Sequence, residues 1–106
     1  MSFVATAEEV RLEDDHVLVA QLQNEEGEMV DASIDLNECI GNNDGSFEWG
    51  GVNFSESAED ISFELEGDDQ IPVLRARLNP AEGDPIDADI NLAERISNQD
   101  GNFVFE

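Results

Sequence analysis

Two places in the chain combine, at the same spacing, side chains suited to reading a ligand: Asn42-x-Asp44-Gly45 and Asn98-x-Asp100-Gly101. An Asn amide both donates and accepts hydrogen bonds, and an ionised Asp accepts. A calcium loop uses the same residue types, with an oxygen ligand two places before the Asn and a closing Glu farther on. Ile40 and Ile96 occupy the first place, and Gly51 the second in the first copy, so the calcium reading fails. The other reading is that Asn and Asp only shape a hairpin, as they commonly do. Nucleophilic catalysis has little to work with. The chain has one His, His16, and one Cys, Cys39. Cys39 sits at an apolar position and reads as a small buried hydrophobe. Without a second His a zinc site lacks its usual ligands, and no carboxylate pair stands out as a glycosidase dyad among so many acids. The expectation is a protein without catalytic residues, metal or cofactor.

The elements that hold these residues must fold from an unusual composition. Of 106 residues, 27 are Asp or Glu and 4 are basic, all Arg, for a formal net charge of −23. Such a chain has no basic footprint for nucleic acid and none for an anionic membrane surface. It contains no apolar run long enough to span a bilayer. Its N-terminus lacks the basic and apolar regions of a secretory signal, so a cytoplasmic location is expected, with unconventional export left open. High net charge and a mean hydropathy of −0.39 are features of disordered chains. The 40% of hydrophobic residues, however, fall into ordered patterns, which predicts a folded but self-repelling protein.

Those patterns occur twice. Residues 33–47 align with residues 89–103 at an offset of 56, and Val17–Leu22 aligns with Val73–Leu78. Nearer the N-terminus, Phe3, Thr6, Ala7, Glu8 and Val10 match Phe54, Ser57, Ala58, Glu59 and Ile61 at an offset of 51, so an insertion lies near 66–70. Within each copy Leu18, Ala20 and Leu22, or Ile61, Phe63 and Leu65, alternate as strands do. Residues 24–28 and 79–84 read as turns. Leu36, Cys39 and Ile40, like Leu92 and Ile96, then follow helical spacing for one turn. Asp35 and Asn91 precede them, with Glu38 and Glu94 three places later, a capping-box pattern. Asp44-Gly45 and Asp100-Gly101 predict tight hairpins. Phe47 and Trp49 share a strand face, which makes Trp49 a core or interface residue. Neither copy is large enough for a core of its own, so the two should share one.

Ser33-Ile34-Asp35-Leu36-Asn37, Asn42-x-Asp44-Gly45-Ser46-x-x-Trp49 and Asn53-Phe54, with Ile90-Asn91-Leu92, Asn98-x-Asp100-Gly101 and Phe105-Glu106 in the second copy, resemble the cyanovirin-N homology (CVNH) family of mannose-binding lectins. The resemblance spans nearly the whole chain. It implies a mostly β fold of two pseudo-symmetric tandem repeats, each a three-stranded sheet plus a β-hairpin with short helical turns, strand-exchanged into one globule. The terminal half would comprise 1–38 with 95–106, and the central half 39–94. Where the family's founding member has disulfides, this chain has Ala7 with Leu22 and Ala58 with Leu78. Loss of such a cross-link typically costs about 2–4 kcal/mol, partly offset by burial of the apolar replacements.

The resemblance also implies a carbohydrate-binding lectin, not an enzyme, that recognises α1,2-linked mannose termini of high-mannose oligosaccharides. In the terminal half the family's pocket falls on Ser2, Ala5, Thr6, Gln23, Asn24, Glu25, Asn98 and Asp100. In the central half it falls on Gly41, Asn42, Asp44, Val52, Asn53, Glu56, Ser57, Asn79, Pro80 and Ala81. Val52 removes a hydroxyl, and Pro80-Ala81 replaces polar residues on the facing loop with groups that bond sugar poorly; Pro80 also has no N–H to donate. Weak binding, mainly at the terminal half, is therefore expected. Self-repulsion favours a monomer, although the Gly50-Gly51 segment is where the family exchanges halves into swapped dimers. The alternative function is an acidic protein-interaction module or charge mimic that has lost sugar binding.

Overall fold

A computed structural model of the chain describes residues 3–68 and 70–105. A 3-10 turn, η1 (Phe3–Thr6), leads into three antiparallel strands, β1 (Ala7–Glu13), β2 (Val17–Gln23) and β3 (Met29–Asp35). A second turn, η2 (Leu36–Glu38), leads to a hairpin of β4 (Ile40–Asn43) and β5 (Ser46–Trp49). The pattern then repeats: η3 (Phe54–Ser57), the sheet β6 (Ala58–Glu66), β7 (Ile71–Leu78) and β8 (Ile86–Asn91), then η4 (Leu92–Glu94) and the hairpin β9 (Ile96–Gln99) and β10 (Asn102–Phe105). The insertion inferred near 66–70 sits at the β6–β7 turn, where β6 runs to 9 residues against 7 for β1.

Alternation in β2 buries Leu18, Ala20 and Leu22, and in β7 Leu74, Ala76 and Leu78, on one face each. Phe3 and Phe54, from the two 3-10 turns, are exposed by only 1% and 0%. Together with Leu36, Ile40, Leu92 and Ile96 they form one apolar cluster drawn from both copies. The shared core thus follows from the apolar faces being too small to close separately. Ala7 stands directly opposite Leu22, and Ala58 opposite Leu78. Apolar cross-strand pairs therefore occupy the positions that the resemblance associates with disulfides.

The hairpins do not pack on the sheets that immediately precede them. β10 lies against β3 and β9 against η1, whereas β5 lies against β8 and β4 against η3. Trp49 of β5 stacks on Phe105 of β10, with ring centroids 5.7 Å apart at an interplanar angle of 24°. Between β5 and η3 the chain passes so close to β4 that a Cβ on Gly51 would stand 2.8 Å from the Cα of Gly41. Glycine at both places permits this approach.

The predicted helical turns are single 3-10 turns. The Asp35 side chain accepts from the Asn37 N–H and the Asn91 side chain from the Ala93 N–H, which starts each turn. A feature not read from sequence is a bulge in each first strand, between Glu8 and Arg11 and between Glu59 and Ser62. Glu9 and Asp60 there take φ of 54° and 52°, the left-handed conformation that such bulges accommodate.

Candidate functional site

Each hairpin tip is pinned by matching bonds to a 3-10 turn and to the link between the second and third strands of a sheet. At the terminal site Asp100 and Gly101 adopt φ of 50° and 84°, a tight-turn geometry that Asp-Gly readily supplies. The Asn98 amide donates to Thr6 Oγ1 at 2.9 Å and to the Gln23 carbonyl at 3.0 Å, and its oxygen accepts from the Gly101 N–H at 2.9 Å. Asp100 Oδ1 accepts from the Glu25 N–H at 3.0 Å. A Cβ on Gly101 would reach 2.5 Å from Val30 Cγ2, so glycine also allows the tip to press onto β3.

The central site repeats this lock. Asn42 donates to Ser57 Oγ and to the Asn79 carbonyl, both at 2.9 Å, and accepts from the Gly45 N–H at 2.8 Å. Asp44 Oδ1 accepts from the Ala81 N–H at 2.9 Å. Asn53, at φ 60°, bridges Gly41, and its N–H donates to the Asn37 carbonyl at 2.7 Å. Glu56 is exposed on η3 beside Ser57.

Both Asn side chains are thus largely spent on protein. Each has its two N–H directions engaged, and one lone-pair direction on its oxygen remains. They hold the site's shape, while much of the free hydroxyl-reading capacity lies elsewhere. At the terminal site that capacity is the second Asp100 oxygen, the remaining lone pair of Thr6 Oγ1, which donates to the Phe3 carbonyl at 3.4 Å, and the exposed Gln23 and Glu25 side chains. The Asn24 oxygen is committed to the Glu26 and Glu28 N–H groups at 3.0 and 2.9 Å, so its amide nitrogen faces the remaining work.

A groove of about 620 Å³ opens between η1, the β2–β3 turn and the β9–β10 tip. Thr6, Gln23, Asn24, Glu25, Asn98 and Asp100 line it together. Ser2, named with them from the sequence, lies outside the described residues. The groove also involves Phe3, Ser97 and Gln99, which sequence reasoning did not single out. Phe3 forms part of its apolar base, edge-on to Phe103 at 5.2 Å and 84°. The signal for Ser97 and Gln99 was their place on either side of Asn98; a motif read for its Asn and Asp alone passes over them.

The central candidates divide. Asn42, Asp44, Ser57 and Asn79 are joined through the lock, and Asn53 is placed beside β4 by its bridge to Gly41. Among the described residues no hydrogen bond or ion pair draws the Glu56 carboxylate in, and the wall opposite the hairpin tip is Pro80-Ala81. Cys39, by contrast, is core: it is 4% exposed. Burial first, then the neighbouring Asp35 and Glu38 carboxylates, pushes its thiol up to about 11, so at neutral pH it is no nucleophile. Among the described residues no group of three or more His, Cys, Asp or Glu is placed to hold a metal ion.

A doubled sheet-and-hairpin fold, with an open groove lined by polar side chains and held by a repeated hydrogen-bond lock, describes a binding protein. The family model for the CVNH domain matches residues 3–104. The cyanovirin-N homolog of Neurospora crassa is 50% identical over 107 residues, covering 97% of this chain and 96% of its own. A designed cyanovirin-N homolog lectin is 44% identical over the whole of both chains, with a TM-score of 0.94. Microvirin, solved with mannobiose, is 26% identical, covers 99% of this chain and 98% of its own, and has a TM-score of 0.87. The chain belongs to the CVNH family of carbohydrate-binding lectins.

Proposed function

We propose that the protein binds α1,2-linked mannose termini of high-mannose oligosaccharides, weakly and mainly in the terminal groove. The observation that carries this reading is the groove itself: a preformed hollow of about 620 Å³, lined mostly by residues with polar side chains over an apolar base, whose Asn98 lock is already made. A site whose groups are fixed before binding loses less on ordering its ligand. Asp100 contributes a carboxylate oxygen, and charge-assisted bonds to hydroxyls are the stronger kind. The Gln23 side chain can donate as well as accept, which suits hydroxyls that do both, and Thr6 Oγ1, which donates to the Phe3 carbonyl, keeps an acceptor lone pair. The mannobiose bound by microvirin supports the choice of sugar.

The terminal half proposed here joins 1–38 with 95–106, and the central half is 39–94, so each groove is built from segments remote in sequence. The working unit we propose is a monomer, since chains of charge −23 repel one another. The test is an amide NMR titration with α1,2-mannobiose. Shifts at Thr6, Gln23–Glu25 and Asn98–Gly101 are expected, with smaller ones around Asn42–Gly45. No shift at millimolar sugar would overturn the reading.

A further inference from the structure

A second groove, of about 600 Å³, lies on the other side of the β4–β5 hairpin, between β5 and β8. Every residue of β8, from Ile86 to Asn91, lines it without a gap. Successive strand residues point to opposite faces of a sheet, so an unbroken lining run means that the groove follows the strand's edge. The sheet order β6-β7-β8 leaves that edge unpaired, and β5 belongs to a different sheet. The opposite wall carries Phe47 and Trp49.

The groove's charge is one-sided. Asp87 and Asp89 project from one face of β8, and Glu94 closes the far end; the lining includes no basic residue. Arg77 approaches Asp87 at 3.6 Å, but Asp87 is 94% exposed and keeps its outer oxygen toward solvent. No ion pair involves Asp89 or Glu94 among the described residues. Ile86, 46% exposed, supplies an apolar surface on the opposite face. At the matching positions of the first copy Asp31 and Glu38 stand where Asp87 and Glu94 do, and Ser33 replaces Asp89, so the pair of acids two residues apart belongs to β8.

We propose that this groove takes an extended basic segment of another polypeptide as an added strand on β8, with Lys or Arg at alternate positions and an apolar residue between them. Strand addition satisfies the edge's backbone donors and acceptors, and side chains at alternate positions give specificity. Basic residues two apart on the added strand stand opposite Asp87 and Asp89, where opposite charges stabilise cross-strand pairs. The apolar residue between them turns toward Ile86 and Trp49. A net charge of −23 steers such a segment to the protein and repels an acidic one.

The experiment is an amide NMR titration at physiological salt with the capped peptide Ac-Thr-Lys-Val-Lys-Val-Thr-NH2. Two controls accompany it: the scrambled Ac-Lys-Lys-Val-Val-Thr-Thr-NH2 and the acidic Ac-Thr-Glu-Val-Glu-Val-Thr-NH2. Shifts confined to residues 86–91 and the Trp49 indole are expected with the alternating peptide. The double variant Asp89→Asn with Glu94→Gln should weaken them about tenfold, as loss of complementary charge at an interface does, whereas Asp14→Asn, in the remote β1–β2 turn, should not. Equal binding of the scrambled peptide, shifts scattered over the acidic surface, or no shift would each overturn the proposal. Mannobiose added to the same sample reports on the terminal groove separately, so the two readings fail independently.

Discussion

At the terminal site the carbonyl that Asn98 holds, on Gln23, is followed by Asn24 and Glu25; at the central site the carbonyl that Asn42 holds, on Asn79, is followed by Pro80 and Ala81. The locks are nearly superimposable in chemistry, down to the carboxylate that accepts from the Glu25 or Ala81 N–H. The walls are not. One copy presents an amide and a carboxylate to its groove, and the other a ring without an N–H and a methyl group. The bonds that keep a hairpin tip in place are therefore separable from the groups left over to meet a ligand. A repeat can keep its architecture and change its binding, because the lock uses backbone atoms of the loop that any residue but proline can supply at the donor position. Proline falls at a loop place whose N–H the lock does not use.

The comparison can be pressed hardest at the core. Phe3→Ala and Phe54→Ala should each destabilise by about 3–5 kcal/mol, since both remove a fully buried ring. Equal losses in chemical denaturation would show the halves bearing the shared core equally; a much smaller loss at Phe3 would show the terminal half to be the looser one. Next come the locks. Asn98→Ala and Asn42→Ala each remove several bonds of about 1 kcal/mol net, so comparable losses of about 1–3 kcal/mol are expected from thermal melts. Sugar binding should part the two: Asp100→Ala is expected to weaken mannobiose binding at least about tenfold, by loss of a charge-assisted bond, and Asp44→Ala much less. The reverse ranking in the titration would move the principal site to the central half.

A gain-of-function variant sharpens the same point. Pro80→Asn combined with Ala81→Glu gives the central wall the terminal side chains, and mannobiose-induced shifts at Asn42–Gly45 should strengthen several-fold, on the scale of one added hydrogen bond. Unchanged shifts would mean that Val52 limits that site instead. A separate effect, seen only at alkaline pH, concerns Cys39, whose counterpart in the second copy is the exposed Arg95. The folded thiol is raised to about 11 from an ordinary value of 9.0, so above pH 9 the unfolded chain loses a proton that the folded chain keeps. Stability should then fall as pH rises from about 9 to 11. Cys39→Ala, whatever its cost at neutral pH, should flatten that slope in denaturation series.

Much of this was legible before any coordinates. The alternation of Leu18, Ala20 and Leu22 marked a buried strand face because β geometry repeats every two residues, and Asp-Gly marked the hairpins because few pairs tolerate two positive φ angles. The bulges at Glu9 and Asp60 were not legible: Glu does not favour a left-handed conformation, Asp adopts it mostly in turns, and here only the pairing register demands it. Among candidate site residues, Asn98 and Asp100 were named for reading hydroxyls. Their actual neighbours show Asn98 chiefly holding the tip and Asp100 with an oxygen to spare, a division that depends on which of their atoms the Thr6, Gln23 and Glu25 groups reach.

By itself the sequence determined the doubling, the strand and turn pattern, the buried side chains and the heavy negative charge, because each is a local or compositional property. It also carried the family, through short motifs repeated at a constant offset. Tertiary structure decided which hairpin meets which sheet, bringing Asn98 within 2.9 Å of Thr6 across 92 residues of chain. It decided too that the grooves lie at these junctions and that the edge of β8 stays open. Contacts between remote segments depend on how the apolar faces share one core, and no local pattern encodes that choice.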